Sequence, residues 1–132
     1  MIKGIGHLGI VVKDIEKSLD ALSQIINFES PAIKGFPEKK MKCALVEVNG
    51  VALEFLEDKS EDGFLGRFAR EKGDAIHHFC LLSDSIEADV EDLKQRGVAM
   101  LDQEPRVGLR GKKIAMTMPS ALNGITIELS EP

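Results

Sequence analysis

The chain has 132 residues, a formal net charge of −5, 43% hydrophobic and 30% charged residues, a composition that predicts one soluble domain large enough to bury a real core. The acidic balance argues against a nucleic-acid partner, because phosphate binding needs a basic surface. No apolar run reaches membrane-spanning length and the start, Met1-Ile2-Lys3-Gly4, lacks the apolar core of a signal peptide, so no membrane association and a cytoplasmic location are expected. Cys43 and Cys80 make neither a closely spaced metal pair nor a disulfide framework, and are read as reduced, half-buried strand residues. With no Trp, no Tyr and six Phe, a site built on aromatic stacking is not expected.

The chain opens on Gly6-His7-Leu8-Gly9-Ile10-Val11-Val12, an apolar strand led by a histidine. It is played again 71 positions later as His77-His78-Phe79-Cys80-Leu81-Leu82. The same offset sets Ile15 on Ile86, Glu16 on Glu87, Leu19 on Val90 and Leu22 on Leu93. After a three-residue slip near Pro119, Asn49-Gly50-Val51-Ala52-Leu53-Glu54 meets Asn123-Gly124-Ile125-Thr126-Ile127-Glu128. Two duplicated modules, residues 1–59 and 74–132, are therefore expected, joined by a connecting helix within residues 60–73.

Each module reads as strand, helix, then three strands. Asp14 is a good N-cap, and Ile15, Leu19, Leu22, Ile25 and Ile26 recur at helical spacing after it. Residues 41–48 and 51–57 read as strands joined by Asn49-Gly50, a strong hairpin signal. Phe64, Leu65 and Phe68 predict a short helix ending at Lys72-Gly73. The second module's helix begins near Asp84 or Ser85, carries Ile86, Val90 and Leu93, and stops at Gly97.

Strand parity then sorts the polar residues. Leu8, Ile10 and Val12 are expected to face the first helix, and Val51, Leu53 and Phe55 with them. Phe79 and Leu81, and Ile125, Ile127 and Leu129, take the corresponding places in the second module. His7, Glu54, His78 and Glu128 all fall on the opposite, helix-free faces. Singly, each would be read as a packed histidine or a solvated glutamate. Together, a twofold repeat of His then Glu at equal phase among apolar neighbours points to a divalent metal held by two imidazoles and two carboxylates. His77 has the opposite parity and no counterpart, since Gly6 stands in its place; it is read as structural.

These residues carry a resemblance along the whole chain. The paired modules with His7, Glu54, His78 and Glu128 resemble the vicinal oxygen chelate superfamily, and within it the methylmalonyl-CoA epimerases. The family's opening His-Ile-Gly-Ile-Ala-Val is similar to His7-Leu8-Gly9-Ile10-Val11-Val12. Its Glu-Glu-Pro-Arg-x-Gly loop is similar to Gln103-Glu104-Pro105-Arg106-Val107-Gly108. Its Gly-Lys-Lys-Val-Ala-Phe strand is similar to Gly111-Lys112-Lys113-Ile114-Ala115-Met116, and its closing Gly-Val-x-Ile-Glu-Leu to Gly124-Ile125-Thr126-Ile127-Glu128-Leu129. Lys40 departs from a family Gly and Met118-Pro119-Ser120 from His-Pro-Lys, departures that bear on the substrate.

The resemblance implies an α+β fold, two tandem βαβββ modules forming a curved mixed sheet around a metal-binding cavity. It implies His7, Glu54, His78 and Glu128 as ligands of a divalent ion, cobalt foremost, with nickel, zinc, manganese and magnesium also compatible. It implies an isomerase that interconverts (R)- and (S)-methylmalonyl-CoA through an enolate, with Glu38 in Phe36-Pro37-Glu38-Lys39-Lys40 and Glu128 as the proton-moving pair. Lys39, Arg106, Lys112 and Lys113 are candidate contacts for the nucleotide phosphates of an acyl-CoA, and a homodimer is expected. Two other functions fit the same pattern. One is glyoxalase I, a lyase acting on a methylglyoxal–glutathione hemithioacetal, although the first helix has no Arg for glutathione carboxylates. The other is a non-catalytic small-molecule binder, which the four ligands and the scarcity of aromatics disfavour.

Overall fold

The computed structural model describes residues 1–132. Strand β1 (Ile2–Val11) runs into helix α1 (Ile15–Ser23), followed by β2 (Lys34–Phe36), a 3-10 turn (Pro37–Lys39), β3 (Met41–Val48) and β4 (Val51–Asp58). Helix α2 (Phe64–Lys72) leads into β5 (Ala75–Ser83), α3 (Ile86–Gln95), β6 (Arg106–Val107), β7 (Lys113–Met116), a second 3-10 turn (Pro119–Leu122) and β8 (Thr126–Ser130). Strand, helix and three strands thus occur twice, and the fold is α+β. No helix is long and apolar enough to cross a membrane.

Contacts divide the chain into two compact units, Leu8–His77 and Met1–His7 with His78–Pro132, so β1 serves both. In the first, the strand order is β2-β3-β4-β1, with β3 antiparallel to both β2 and β4 and Leu45 opposite Glu54. Its core gathers Val12, Ile15, Leu19, Ala44, Val46 and Phe55, with Ile10 and Leu53 packed against them, on the parity that alternation predicts. Full burial of Ile15 and Leu19 contributes about 1.5–3 kcal/mol each. Asp14 caps α1 by accepting from the Lys17 amide at 3.0 Å. Glu57, buried at the end of β4, accepts from the Ile15 amide at 3.1 Å and places a carboxylate where the helix dipole favours it.

In the other unit the order is β1-β5-β8-β7-β6; β5 and β8 run parallel, while β7 pairs antiparallel with β8 and β6, making the sheet mixed. Ile86 and Val90 of α3 pack on Met100, Ala115 and Leu129, with Leu81 alongside. The Asn49-Gly50 turn closes β3 on β4 with both residues at positive φ (48° and 91°), the backbone that a two-residue hairpin of this type demands.

Three sequence expectations change. Helix α1 ends at Ser23 instead of running through Ile26, and Ile25 is 78% exposed: its helical spacing is real, but no surface covers that turn. Ile125 precedes β8 and is 47% exposed, because the Asn123-Gly124 turn delays the strand's entry. Cys43 and Cys80 are fully buried, not half-buried, and neither forms a disulfide.

Candidate metal centre

Three of the four sequence-predicted ligands meet in the unit formed by Met1–His7 and His78–Pro132. β1 supplies His7, β5 supplies His78 and β8 supplies Glu128, each buried. The parallel register that sets Cys80 opposite Glu128 and His78 opposite Thr126 fixes the phase of the last two. His7 Nε2 lies 3.2 Å from His78 Nε2 and 3.3 Å from Glu128 Oε1, and His78 Nε2 lies 3.7 Å from Glu128 Oε2. The two imidazoles stand edge to face, ring centroids 5.3 Å apart at 81°.

These separations test whether the residues suit a metal. Two ligands that each sit about 2.0–2.1 Å from one ion, at tetrahedral or right angles, lie about 2.8–3.4 Å apart. The His7–His78 and His7–Glu128 distances fall inside that range and the His78–Glu128 distance of 3.7 Å exceeds it by a few tenths of an ångström, so the donor set fits one divalent ion after a small shift of the Glu128 side chain. Burial, aided by the positive charge of Arg110, pushes the His7 pKa down to about 4. The imidazole is therefore neutral at ordinary pH, the form that ligates. Cys80 Sγ also lies close: His7, Cys80 and Glu128 offer ligand atoms within 4.8 Å of one another.

The other predicted residues have their own places. Glu54 is buried in β4 between Ala52 and Leu56, all on the face away from α1. Glu38 is exposed on the 3-10 turn Pro37–Lys39, and Lys40 after it adopts φ 54°, a left-handed conformation that favours glycine. His77 is held by packing: its ring meets Phe64 and Phe68 of α2 edge-on, with centroids 5.4 and 4.8 Å away. Among the cations, Arg106 pairs with Asp102 at 2.9 Å and Lys113 with Glu87, whereas Lys39 and Lys112 are exposed.

Sequence reasoning missed Arg110. Its Nη2 reaches His7 Nδ1 at 3.2 Å from the turn between β6 and β7, which is tied by Gly108 N to Lys112 O at 2.8 Å and by Gly111 at φ 81°. Strand parity is silent about a turn, although the offset of 71 sets Arg110 on Lys39, a basic counterpart that a repeat comparison could have flagged.

Comparison with known proteins follows the same lines. An uncharacterized protein of Bacillus subtilis, YqjC, is 29% identical, with 96% of this chain and 90% of that protein covered. The ethylmalonyl-CoA/methylmalonyl-CoA epimerase of Cereibacter sphaeroides is 28% identical over 99% of both. The structure of a point variant of Streptomyces coelicolor methylmalonyl-CoA epimerase in complex with 2-nitronate-propionyl-CoA is similar at a TM-score of 0.89 and 26% identity, with 99% of this chain and 95% of that one covered. The family model described as Glyoxalase/Bleomycin resistance protein/Dioxygenase superfamily matches residues 6–116, which is most of the chain. With its fold, its repeated strand phase and that match in agreement, the chain belongs to the glyoxalase/bleomycin resistance protein/dioxygenase superfamily.

Proposed function

We propose that the chain is a metal-dependent epimerase that inverts C2 of a 2-substituted malonyl thioester, with methylmalonyl-CoA as the leading substrate. The observation that supports this most is the convergence of His7, His78 and Glu128 on one buried point in a chain similar to such epimerases. These three would hold the ion, cobalt foremost, and Glu54 would be the fourth donor as the repeat counterpart of Glu128. When bound, a divalent ion supplies a Lewis acid that makes a carbon beside polarised carbonyl oxygens easier to deprotonate.

The proton moves are assigned to carboxylates. Glu38 takes the proton from C2, and the electron pair of the C–H bond passes into the thioester carbonyl to give an enolate. Glu128, which would share the ion loosely enough to leave it and carry a proton, then returns that proton to the other face of C2, so atoms balance and nothing is oxidised. The reverse direction uses the two residues in exchanged roles. Positioned general bases and acids of this kind contribute about 10²–10⁴-fold to rate. Exposed Lys39 and Lys112 are the cations left to attract the nucleotide phosphates, since Arg106 and Lys113 already hold Asp102 and Glu87. The working assembly is a cytoplasmic homodimer, which sedimentation at micromolar concentration checks.

The reading is tested by following deuterium from solvent into C2 of methylmalonyl-CoA with metal-stripped and cobalt-reloaded protein. Exchange is expected only after reloading. No exchange in either sample, together with turnover of the methylglyoxal–glutathione adduct, would replace this reading with the glyoxalase one.

A further inference from the structure

Arg110 is an exposed residue whose guanidinium tip lies 3.2 Å from Nδ1 of the buried His7. A guanidinium donates hydrogen bonds and never accepts them, so as a hydrogen bond this contact requires an Nδ1 that accepts and carries no proton. A neutral imidazole then keeps its one proton on Nε2, the nitrogen that points at Glu128 Oε1 3.3 Å away. Ligation of a metal through Nε2 demands the other tautomer, with the proton on Nδ1 and the Nε2 lone pair free for the ion. An Nδ1–H would then face the N–H of Arg110, two donors in contact. Arg110 in its present place and a metal on Nε2 of His7 therefore disfavour each other. Charge adds to the conflict, because a guanidinium beside the ligand set repels an incoming divalent cation.

We propose that Arg110 is a displaceable cap on His7 that, once the site is loaded, turns to the carboxylate of an anionic substrate and so acts as a specificity residue. The part played by the substrate rests on the epimerase reading above; the cap does not. The position favours such an exchange. Arg110 stands in the tight turn Gly108–Lys112, whose backbone is closed by its own hydrogen bonds, so the side chain can swing without unfolding a strand. On leaving Nδ1 the guanidinium stays within side-chain reach of the ligands and offers a planar fork, which matches the two oxygens of a carboxylate. A malonyl-type substrate brings such a carboxylate beside its reacting carbon, whereas a simple acyl thioester does not. His7's proton leaves Nε2 and arrives on Nδ1 by way of solvent, so the side chain stays neutral throughout.

The test uses the full chain, stripped of metal by a chelator, and the variants Arg110→Gln and Arg110→Lys. Nitrogen-15 spectra of the three histidine rings read the tautomer of His7 directly. The expected result is Nε2–H in the stripped parent and Nδ1–H after zinc is added. Zinc titrated by calorimetry should bind Arg110→Gln about tenfold more tightly than the parent, because one positive charge has gone, and Arg110→Lys should lie near the parent. Malonate binding to the zinc-loaded protein should weaken about tenfold in Arg110→Gln and be partly restored in Arg110→Lys. An Nδ1–H tautomer in the stripped parent, or zinc affinity unchanged in Arg110→Gln, would overturn the cap. Equal malonate affinity in parent and Arg110→Gln would overturn the specificity role. If the parent fails to exchange C2 of methylmalonyl-CoA while the zinc and tautomer results hold, it is the epimerase reading that has failed and the cap stands.

Discussion

His7 and His77 are buried to nearly the same degree, 3% and 4% exposed, and burial pushes the pKa of each down to about 4. Their surroundings have nothing else in common. His7 faces a second imidazole, a carboxylate and a guanidinium, all within 3.3 Å of a ring nitrogen. His77 faces the rings of Phe64 and Phe68. Burial and a depressed pKa thus say only that a histidine is out of water. What it can do is decided by whether the atoms around its nitrogens are donors to a common ion or apolar edges.

The sharpest way to break this contrast is to remove each ring in turn. His7→Ala should lower cobalt affinity by about a hundredfold or more by calorimetry, since loss of mere supporting contacts already costs about 10–100-fold. His77→Ala should leave cobalt affinity within about threefold while lowering stability by about 1–3 kcal/mol in urea, from lost aromatic packing. Equal losses of metal from both variants would erase the distinction. Next in size is Glu38→Gln, which should cut C2 deuterium exchange by about a hundredfold with cobalt still bound. Unchanged exchange would return Glu38 to the solvent.

A smaller effect concerns pH. The folded pKa of His77 is depressed to about 4 from 6.5, so between those values the unfolded chain binds the proton that the folded chain refuses. Its contribution to stability is then full above pH 6.5 and falls as pH drops toward 4, with a slope of at most about 1.4 kcal/mol per pH unit. His77→Phe should remove that portion of the acid loss in urea titrations at pH 4–6.5. An identical slope in the variant would mean that the ring is not held neutral by burial. The least effect is expected at Gly6, which stands where the second module has His77. A methyl group there would meet Leu82 Cδ2 at 2.9 Å and Cys80 Sγ at 3.3 Å. Leu82 can yield at its tip, so Gly6→Ala should cost about 1 kcal/mol.

Much of this was legible in the sequence because a duplicated pattern supplies its own control. The repeat marked His7 against His78 and Glu54 against Glu128, and strand alternation separated His78 from His77; His7, His78 and Glu128 lie together in the structure, and the ligand roles of all four belong to the proposal. Turn chemistry was equally plain at Asn49-Gly50, and capping at Asp14 and Gly97. Where periodicity was the sole signal it overran: Ile25 keeps helical spacing after α1 has ended, because spacing records a pattern and not the surface that must cover it. The turn residues Arg110 and Lys40 lay beyond these rules. A turn has no alternating face, so neither the reach of Arg110 to His7 nor the positive φ of Lys40 follows from local sequence.

The most direct test of the account is X-ray absorption of the cobalt-loaded protein, because the ligand shell itself is what the contrast between the two histidines asserts. Two imidazoles with carboxylate oxygens, all at about 2.0–2.2 Å and with no sulfur, is the predicted shell, and His78→Ala should remove one imidazole from it. A sulfur scatterer at about 2.3 Å would place Cys80 on the metal instead, and a shell without imidazole would contradict the proposed centre altogether.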